Sequence, residues 1–170
     1  MFHDPRDFEF TSRLEAAWTD VRAELDALEE DDFFDWYEPE AHAGAWRVCG
    51  LHVVDHPESH RLDPDVVRRC PRSAALARSV PGVNFAAFSL LGPRAVIHPH
   101  RDVGLRALRC HLPVKVPNDD CVFQVGEERR RWREGTSLVF DGSTTHAAWN
   151  HSDEHRVVMV VEFVPDPWPR

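Results

Sequence analysis

The sequence has 170 residues, of which 42% are hydrophobic and 29% are charged, and a formal net charge of −9 at pH 7. This length and composition are typical of one globular domain, and without a run of about 18 apolar residues the chain is not expected to span a membrane. The excess negative charge lies in residues 1–92, and nucleic acid is not expected as a partner because its phosphates would repel such a chain.

Two features bear on the cellular compartment. The first residues, MFHDPRDFEF, lack the basic and then apolar pattern of a signal peptide. The four cysteines show neither paired nor zinc-type spacing: Cys49, Cys70, Cys110 and Cys121. Free buried thiols in a reducing compartment are therefore expected, and the chain is predicted to be cytoplasmic.

The first predicted element is one amphipathic helix over residues 12–28. Its apolar positions recur at steps of three and four residues: Leu14, Trp18, Val21, Leu25 and Leu28. Ser12 and Glu15 have the spacing of a capping box at its start. Pro39 then indicates a loop.

A strand and two short helices follow the loop. AWRVCGLHV, residues 45–53, is strand-like, one helix is predicted to begin near Pro64, and another to begin at Pro71 and end at Pro81-Gly82.

From Asn84 onward, short strands alternate with turn residues. The predicted strands are FAAFSLL, RAVIHPH, LRALRCHLPVKV, CVFQV, RRWRE, SLVF and RVVMVVEFV. We expect a single, mainly β domain, a jelly-roll or cupin-like barrel (double-stranded β-helix), with helical residues 1–83 buttressing a catalytic core of residues 84–170. The basic run EERRRWRE (127–134) contains its own glutamates, so a solvated hairpin is favoured over a binding patch.

Two of these strands have one apolar face and one face with charged residues. In the strand over residues 105–116, Arg109 and His111 lie opposite an apolar face. In RVVMVVEFV, Arg156 lies on the side opposite the apolar residues. A polar pocket inside the barrel would explain both patterns.

Residues 98–102 read His-Pro-His-Arg-Asp, a high density of potential metal ligands. Residues i and i+2 of an extended chain point the same way, so either Asp102 or His98 could share an ion with His100. His146, in STTHAAWN, offers a third ligand. Two histidines and one carboxylate form the facial triad of non-haem Fe(II) oxygenases, but chance HxD…H patterns are easy to find among 11 histidines.

The ordered motifs FSLLGPRAVIHPHRD, LRCHLPV, WREGTSLVFDGSTTHAAWN and RVVMVVEF resemble the aspartyl/asparaginyl β-hydroxylase family of Fe(II)/2-oxoglutarate dioxygenases. The resemblance extends back through CPRSAALARSVPGV and AWRVCGLH, and so covers nearly the whole chain. It implies Fe(II), 2-oxoglutarate and O2 as cofactor and cosubstrates.

The resemblance also implies roles for individual residues. The family's metal histidines fall on His100 and His146. Its residues that contact the cosubstrate fall on Ser89, Arg109, His111 and Arg156. Of these, Arg156 with Ser89 would hold the distal carboxylate of 2-oxoglutarate.

Asp102 departs from the family pattern, since the animal members have no carboxylate two residues after the first metal histidine. We expect His100, Asp102 and His146 to form a complete triad, with a turn role as the alternative for Asp102. After His146, Trp149 and Asn150 could wall the pocket, although core packing is favoured for Trp149.

The resemblance implies hydroxylation of an unactivated carbon, with the β-carbon of an aspartyl, asparaginyl or related amino-acid or peptide substrate favoured. One alternative is a cupin-like metal-binding protein, an isomerase or a small-ligand-binding module, without oxygenase activity. Another is a binding protein that keeps only the fold. The sequence does not indicate the oligomeric state.

Overall fold

The computed structural model describes residues 1–54, 62–102, 106–117 and 121–168. Its β-strands all pair in antiparallel fashion. In chain order the strands are β1 (Phe2–His3), β2 (Phe34–Asp35), β3 (His42–Ala43), β4 (Trp46–Val53), β5 (Val83–Leu91), β6 (Val96–His100), β7 (Leu108–Lys115), β8 (Cys121–Val125), β9 (Glu128–Arg131), β10 (Leu138–Asp141), β11 (His146–Asn150) and β12 (Arg156–Phe163).

The strands form two sheets. The large sheet has seven strands in the order β1-β10-β7-β12-β5-β4-β2, and the small sheet has five in the order β3-β6-β11-β8-β9. Buried side chains from both sheets form one cluster, in which Ile97 and Phe123 of the small sheet lie with Phe140 and Val158 of the large sheet. The predicted mainly β, jelly-roll fold is confirmed.

The helices cover the large sheet. They are α1 (Glu9–Ala16), α2 (Trp18–Asp26), α3 (Pro64–Arg69) and α4 (Pro71–Arg78). Short 3-10 turns lie at Pro5–Asp7, Glu30–Asp32 and Pro39–Ala41. The apolar helix residues Leu14, Val21 and Ala77 are buried in one cluster with Cys110 and Met159 of the sheet. The predicted helical layer is therefore confirmed, as are the starts of α3 and α4 at their prolines.

The first helix differs from its prediction. The segment forms two helices that meet at Ala17, and α1 begins three residues before Ser12. The Ser12 hydroxyl donates to the Glu9 carbonyl at 2.8 Å, so Ser12 lies inside the helix and does not cap it. Glu15 instead accepts from the Ser137 backbone N–H at 2.8 Å. The capping-box prediction was wrong because both side chains have other partners.

The two faces of β7 and β12 are separated as predicted. Cys110 and Met159, from the apolar faces, pack in the cluster under the helices. Arg109, His111 and Arg156, from the opposite faces, line a cavity between the sheets. The large sheet thus contributes one face to the helical layer and the other to the cavity.

Two further segments refine the predictions. The strand expected over RRWRE lies earlier, at β9, because the turn at Gly126 (φ +60°) pairs Val125 with Glu128. Residues 1–83 contribute β1 to β4 as well as helices. Within the described residues, no helix combines the length and apolarity needed to cross a membrane.

Candidate metal and anion site

Pairing of β6 with β11 brings two distant histidines together. His100 ends β6, His146 begins β11, and the two residues are direct partners in the register. Their ring centroids lie 4.2 Å apart. Because the register is set by backbone hydrogen bonds, the sheet itself holds this pair of imidazoles in place.

Asp102 completes a cluster of three potential ligands. Its Oδ1 lies 4.0 Å from His100 Nε2 and 3.9 Å from His146 Nε2. One ligand atom from each of the three residues falls within 4.8 Å of the others. Two nitrogens and one carboxylate oxygen in this arrangement are a donor set that suits non-haem iron.

Backbone contacts fix which nitrogen of each imidazole is available. Nδ1 of His100 lies 2.8 Å from the carbonyl of His98, and Nδ1 of His146 lies 2.9 Å from the carbonyl of Thr144. A carbonyl only accepts, so each Nδ1 carries the proton and donates it. Each Nε2 then keeps a free lone pair, which is the usual preparation of a metal-binding histidine.

Burial keeps His146 neutral. Its side chain is buried, and desolvation, with the nearby charge of His100 as a smaller cause, lowers its pKa to about 3. A histidine must be neutral to bind a metal, so His146 is ready to do so at neutral pH.

Gly142 makes room for the Asp102 carboxylate. A β-carbon on Gly142 would lie only 2.0 Å from Asp102 Oδ2. The Asp102 backbone N–H also donates to the Gly142 carbonyl at 3.0 Å. The glycine is therefore required here because the carboxylate and the backbone approach each other closely.

Arg156 lies in the cavity next to this cluster. The residue is 1% exposed, its Nη1 donates to the Ser89 carbonyl at 3.2 Å, and its guanidinium lies 4.5 Å from the ring centre of Trp132. Its Nε has no partner, and no carboxylate pairs with it among the described residues. Burial lowers its pKa to about 10, because the charged form is poorly solvated in the cavity.

Ser89 and His111 add two polar groups to the same cavity wall. The Ser89 hydroxyl accepts from Trp46 Nε1 at 3.1 Å, and His111 Nδ1 accepts from Trp132 Nε1 at 3.3 Å. Burial first, and then the charge of Arg156, lowers the pKa of His111 well below its usual value. His111 is therefore neutral.

Arg109 links the metal cluster to a buried acid. Its Nε donates to Glu162 Oε2 at 3.1 Å and lies 3.0 Å from Asp102 Oδ2. The single Nε–H is directed at Glu162, which leaves Asp102 Oδ2 with an ion contact but no hydrogen-bond donor among the described residues. Arg109 thus neutralises both carboxylates and holds Asp102 in position.

The structure brings all seven predicted site residues to this region, and His98 is not in the group of converging ligand atoms. Asn150 does not wall the cavity. It is buried, and its Nδ2 donates to the carbonyls of Leu91, Gly92 and Glu154. Trp149 lies against Arg129 instead of lining the cavity.

Sequence reasoning missed Trp46, Trp132 and Glu162 as parts of the site. The alternation of β12 placed Glu162 on the polar face together with Arg156, and this signal could have included it. Trp132 lies within the basic run EERRRWRE (127–134), which suggested a solvated hairpin, so its burial had no local signal.

A second, open cleft leads from the surface to the metal cluster. Its lining includes Trp36, the acidic residues Glu38 and Glu40, and the basic residues His98 and Arg101. Trp36 stacks on Trp46, with ring centroids 4.4 Å apart and planes at 18°. The ligand cluster therefore borders both the anion cavity, which is lined mostly by buried side chains, and this cleft, whose lining includes several exposed ones.

Residues 15–165 match the model of a protein family described as aspartyl/asparaginyl beta-hydroxylase. An ornithine lipid ester-linked acyl 2-hydroxylase of Rhizobium tropici is 38% identical over 100 residues, which cover 58% of this chain and 36% of that protein. Human aspartate beta-hydroxylase domain-containing protein 2 is 39% identical over 109 residues, covering 59% of this chain and 29% of the human protein. The matches thus span about a third of the length of these relatives.

Among solved structures, the crystal structure of a predicted oxalate decarboxylase from Thermotoga maritima is similar in fold. It has a TM-score of 0.50 and 10% sequence identity, and the match covers 78% of this chain and 92% of that chain. At this identity the likeness concerns the fold alone.

Proposed function

The chain belongs to the aspartyl/asparaginyl β-hydroxylase family, and from this premise we propose that it is an Fe(II)- and 2-oxoglutarate-dependent dioxygenase that hydroxylates an unactivated carbon. His100, Asp102 and His146 would hold the iron. Three protein ligands on one side of an ion leave its other positions open to small molecules, which a structural metal site does not.

The observation that carries this proposal is the buried guanidinium of Arg156, which has no carboxylate counter-ion among the residues that the structure describes. A buried cation is costly unless an anion pairs with it, so a cavity that retains one is suited to an anionic ligand. The distal carboxylate of 2-oxoglutarate would meet Arg156 and Ser89, and the planar fork of arginine matches a carboxylate in shape as well as in charge. His111 would contribute a neutral hydrogen-bond donor to the same ligand.

Bound iron with 2-oxoglutarate supplies O2 activation, in which one oxygen atom enters the substrate and 2-oxoglutarate becomes succinate and CO2. The protein groups bind, orient and exclude water. Phe123, Phe140 and Trp132 form an aromatic wall of the cavity. Arg109 keeps the Asp102 carboxylate directed at the two histidines.

The substrate would enter through the open cleft beside Trp36. The family name favours the β-carbon of an aspartyl, asparaginyl or related amino-acid or peptide substrate. The Rhizobium tropici relative acts, by its name, on a lipid acyl chain, so a long-chain substrate is a second class for the same chemistry.

Succinate release tests this function without knowledge of the substrate. The protein is supplied with Fe(II), 2-oxoglutarate and O2, and succinate is measured over time. We expect slow succinate formation by the wild-type protein and none by His146→Ala, while His155→Ala, which removes an exposed histidine outside the site, behaves as the wild type. Equal succinate formation by His146→Ala, or none by the wild type, would refute the proposal and favour a cupin-like binding protein.

A further inference from the structure

Trp132 contacts two polar groups of the anion cavity at once. Its indole Nε1–H donates to His111 Nδ1 at 3.3 Å, while the ring face lies 4.5 Å from the Arg156 guanidinium. The residue is buried and stacks on Phe123, with ring centroids 5.2 Å apart and planes at 20°. One rigid ring therefore touches both His111 and Arg156.

The hydrogen bond from Trp132 decides which nitrogen of His111 carries the proton. An indole N–H only donates, so His111 Nδ1 must accept and cannot be protonated. His111 is neutral, and a neutral imidazole has one N–H, which must then be on Nε2. Two phenylalanine rings pack near the imidazole, with Phe140 at 4.9 Å and Phe123 at 5.1 Å between ring centroids. Nε2–H has no protein acceptor in the described part of the chain and is available to a ligand.

We propose that Trp132 is a positioning residue that fixes His111 as the Nε2-protonated tautomer and orients Arg156, so that both groups present donors to one anionic ligand. This inference rests on the proposed function only in naming that ligand as 2-oxoglutarate. The statement about the tautomer concerns the protein alone.

A second tryptophan, Trp46, also donates its indole N–H to a polar group of the cavity wall. Trp46 Nε1 donates to the Ser89 hydroxyl oxygen at 3.1 Å, which uses an acceptor site of that oxygen and leaves its O–H free to donate. With Ser89, His111 and Arg156 all presenting donors, the cavity wall favours an ionised carboxylate over an amide or an alcohol, since these bring donors of their own.

The tautomer can be measured without any ligand. Side-chain 15N NMR of the full-length protein at pH 7 should show His111 protonated at Nε2, with a 15N–15N coupling to Trp132 Nε1 across the hydrogen bond. Trp132→Phe should give a mixture of the two tautomers, and Trp149→Phe, which removes an indole outside the cavity, should leave His111 unchanged. A wild-type His111 protonated at Nδ1 would overturn the inference, and this measurement holds even if Trp132→Phe fails to fold.

A double-mutant cycle separates positioning from general packing. The dissociation constant for 2-oxoglutarate is measured anaerobically with Fe(II). Trp132→Phe should raise it about tenfold, since one hydrogen bond to a bound charge is disrupted and the ring over Arg156 changes. In a His111→Gln background, where a side-chain amide can supply the donor without a tautomer, the same change should raise it by a clearly smaller factor.

If Trp132→Phe raised the dissociation constant for 2-oxoglutarate by the same factor in the wild-type protein and in His111→Gln, Trp132 would not act through His111. This result would overturn the inference. Failure of the wild-type protein to bind 2-oxoglutarate would instead refute the proposed function. The ligand-free NMR result distinguishes the two failures.

Discussion

At Arg156 a guanidinium is 1% exposed and contacts Trp132 and the Ser89 carbonyl, but no carboxylate, in the described residues. Neither contact replaces the hydration that the charge has lost. Natural proteins retain such unfavourable groups where binding needs them, at the expense of stability. The residue therefore gives a direct way to separate function from folding.

We predict that Arg156→Met abolishes 2-oxoglutarate binding and raises the free energy of unfolding of the ligand-free protein by about 1 kcal/mol or more, because methionine fills the space without a buried charge. Calorimetric titration and chemical denaturation measure the two effects. Arg94→Met is the matched control, since Arg94 makes an exposed ion pair with Asp153 and should change neither quantity much. An Arg156→Met protein that is less stable and still binds 2-oxoglutarate would contradict the role given to Arg156.

Gly142 offers a test of Asp102 that leaves the carboxylate in the chain. Gly142→Ala places a methyl group in the space that Asp102 Oδ2 now occupies, so the carboxylate must shift from the position in which its Oδ1 faces the two histidines. We expect iron affinity to fall about tenfold or more, in line with the effect of displacing groups that orient a ligand. Metal titration followed by absorbance or fluorescence measures it.

The control for Gly142 is the Asp102→Ala background. If the glycine acts by making room for the carboxylate, Gly142→Ala should cause little further loss of iron affinity there. A full additional loss would show that Gly142 supports the site in another way, and unchanged affinity in Asp102→Ala itself would mean that Asp102 is a turn residue only.

Among the connections between elements, Asn150 holds the end of β11 to two turns. Its side-chain amide donates to the carbonyls of Leu91 at the end of β5, Gly92 directly after it and Glu154 before β12, and its Oδ1 accepts from the Ser152 N–H and hydroxyl. Asn150→Asp replaces the donors with acceptors that face those carbonyls. We expect a loss of about 2–4 kcal/mol in the free energy of unfolding, measured by chemical denaturation. Gln124→Glu, a similar change at a half-buried residue of the neighbouring strand, should cost far less.

The contact between Asp32 and α3 predicts a dependence of stability on pH. Arg69, at the end of α3, forms an ion pair with Asp32, and Arg69 Nη1 donates to Asp32 Oδ2 at 3.0 Å. This contact lowers the pKa of Asp32. The stabilisation is therefore fully present above the pKa of an unfolded aspartate, about 3.9, and is lost as the pH falls through the lower folded value.

Asp32→Asn should lack the loss of stability at low pH that protonation of Asp32 causes in the wild type. Melting temperatures of the wild type and the variant should differ by a few degrees at most near neutral pH, since the pair is near the surface. The difference should begin to shrink below about pH 4 and disappear below the folded pKa of Asp32. Asp31→Asn, at the exposed neighbouring residue, is the control. A constant difference down to the lowest pH would mean that ionisation of Asp32 does not stabilise the fold.

Elements in which apolar and polar residues alternate regularly could be predicted from the sequence. Elements whose bounds depend on contacts with distant residues could not. The alternation in β7 and β12 correctly separated the helix-facing side from the cavity side. By contrast, the start of α1 was wrong because the Glu15 side chain bonds to Ser137, far away in the chain. The strand β9 was placed too late because its register follows from the turn at Gly126 rather than from its own residues.

The candidate site shows the same division. Histidines, arginines and the aspartate carry chemistry that a motif reveals, so the metal cluster and Arg156 were expected together. The two indole N–H groups that set the hydrogen bonding of Ser89 and His111 have no motif, because tryptophan is usually explained by core packing. Their role depends on which acceptor lies within 3.5 Å, which only the folded chain specifies.

On the scale of the whole molecule, the two sheets contribute different groups to the proposed active site. The small sheet and the turns at its end carry the metal cluster, since His100 and His146 pair across β6 and β11. The large sheet carries the anion-binding groups Ser89, His111 and Arg156 on its inner face. A ligand that bridges iron and Arg156 would therefore connect both sheets, and we expect 2-oxoglutarate with Fe(II) to raise the melting temperature.

The most direct test of this arrangement is the absorbance of the protein under anaerobic conditions with Fe(II) and 2-oxoglutarate. If the metal cluster and Arg156 hold one bridging ligand, a visible charge-transfer band should form with the wild type and be absent from both His146→Ala and Arg156→Met at the same 2-oxoglutarate concentration. Absence of the band from a wild-type protein that has bound Fe(II), or a band equally strong in all three proteins at equal ligand, would contradict it.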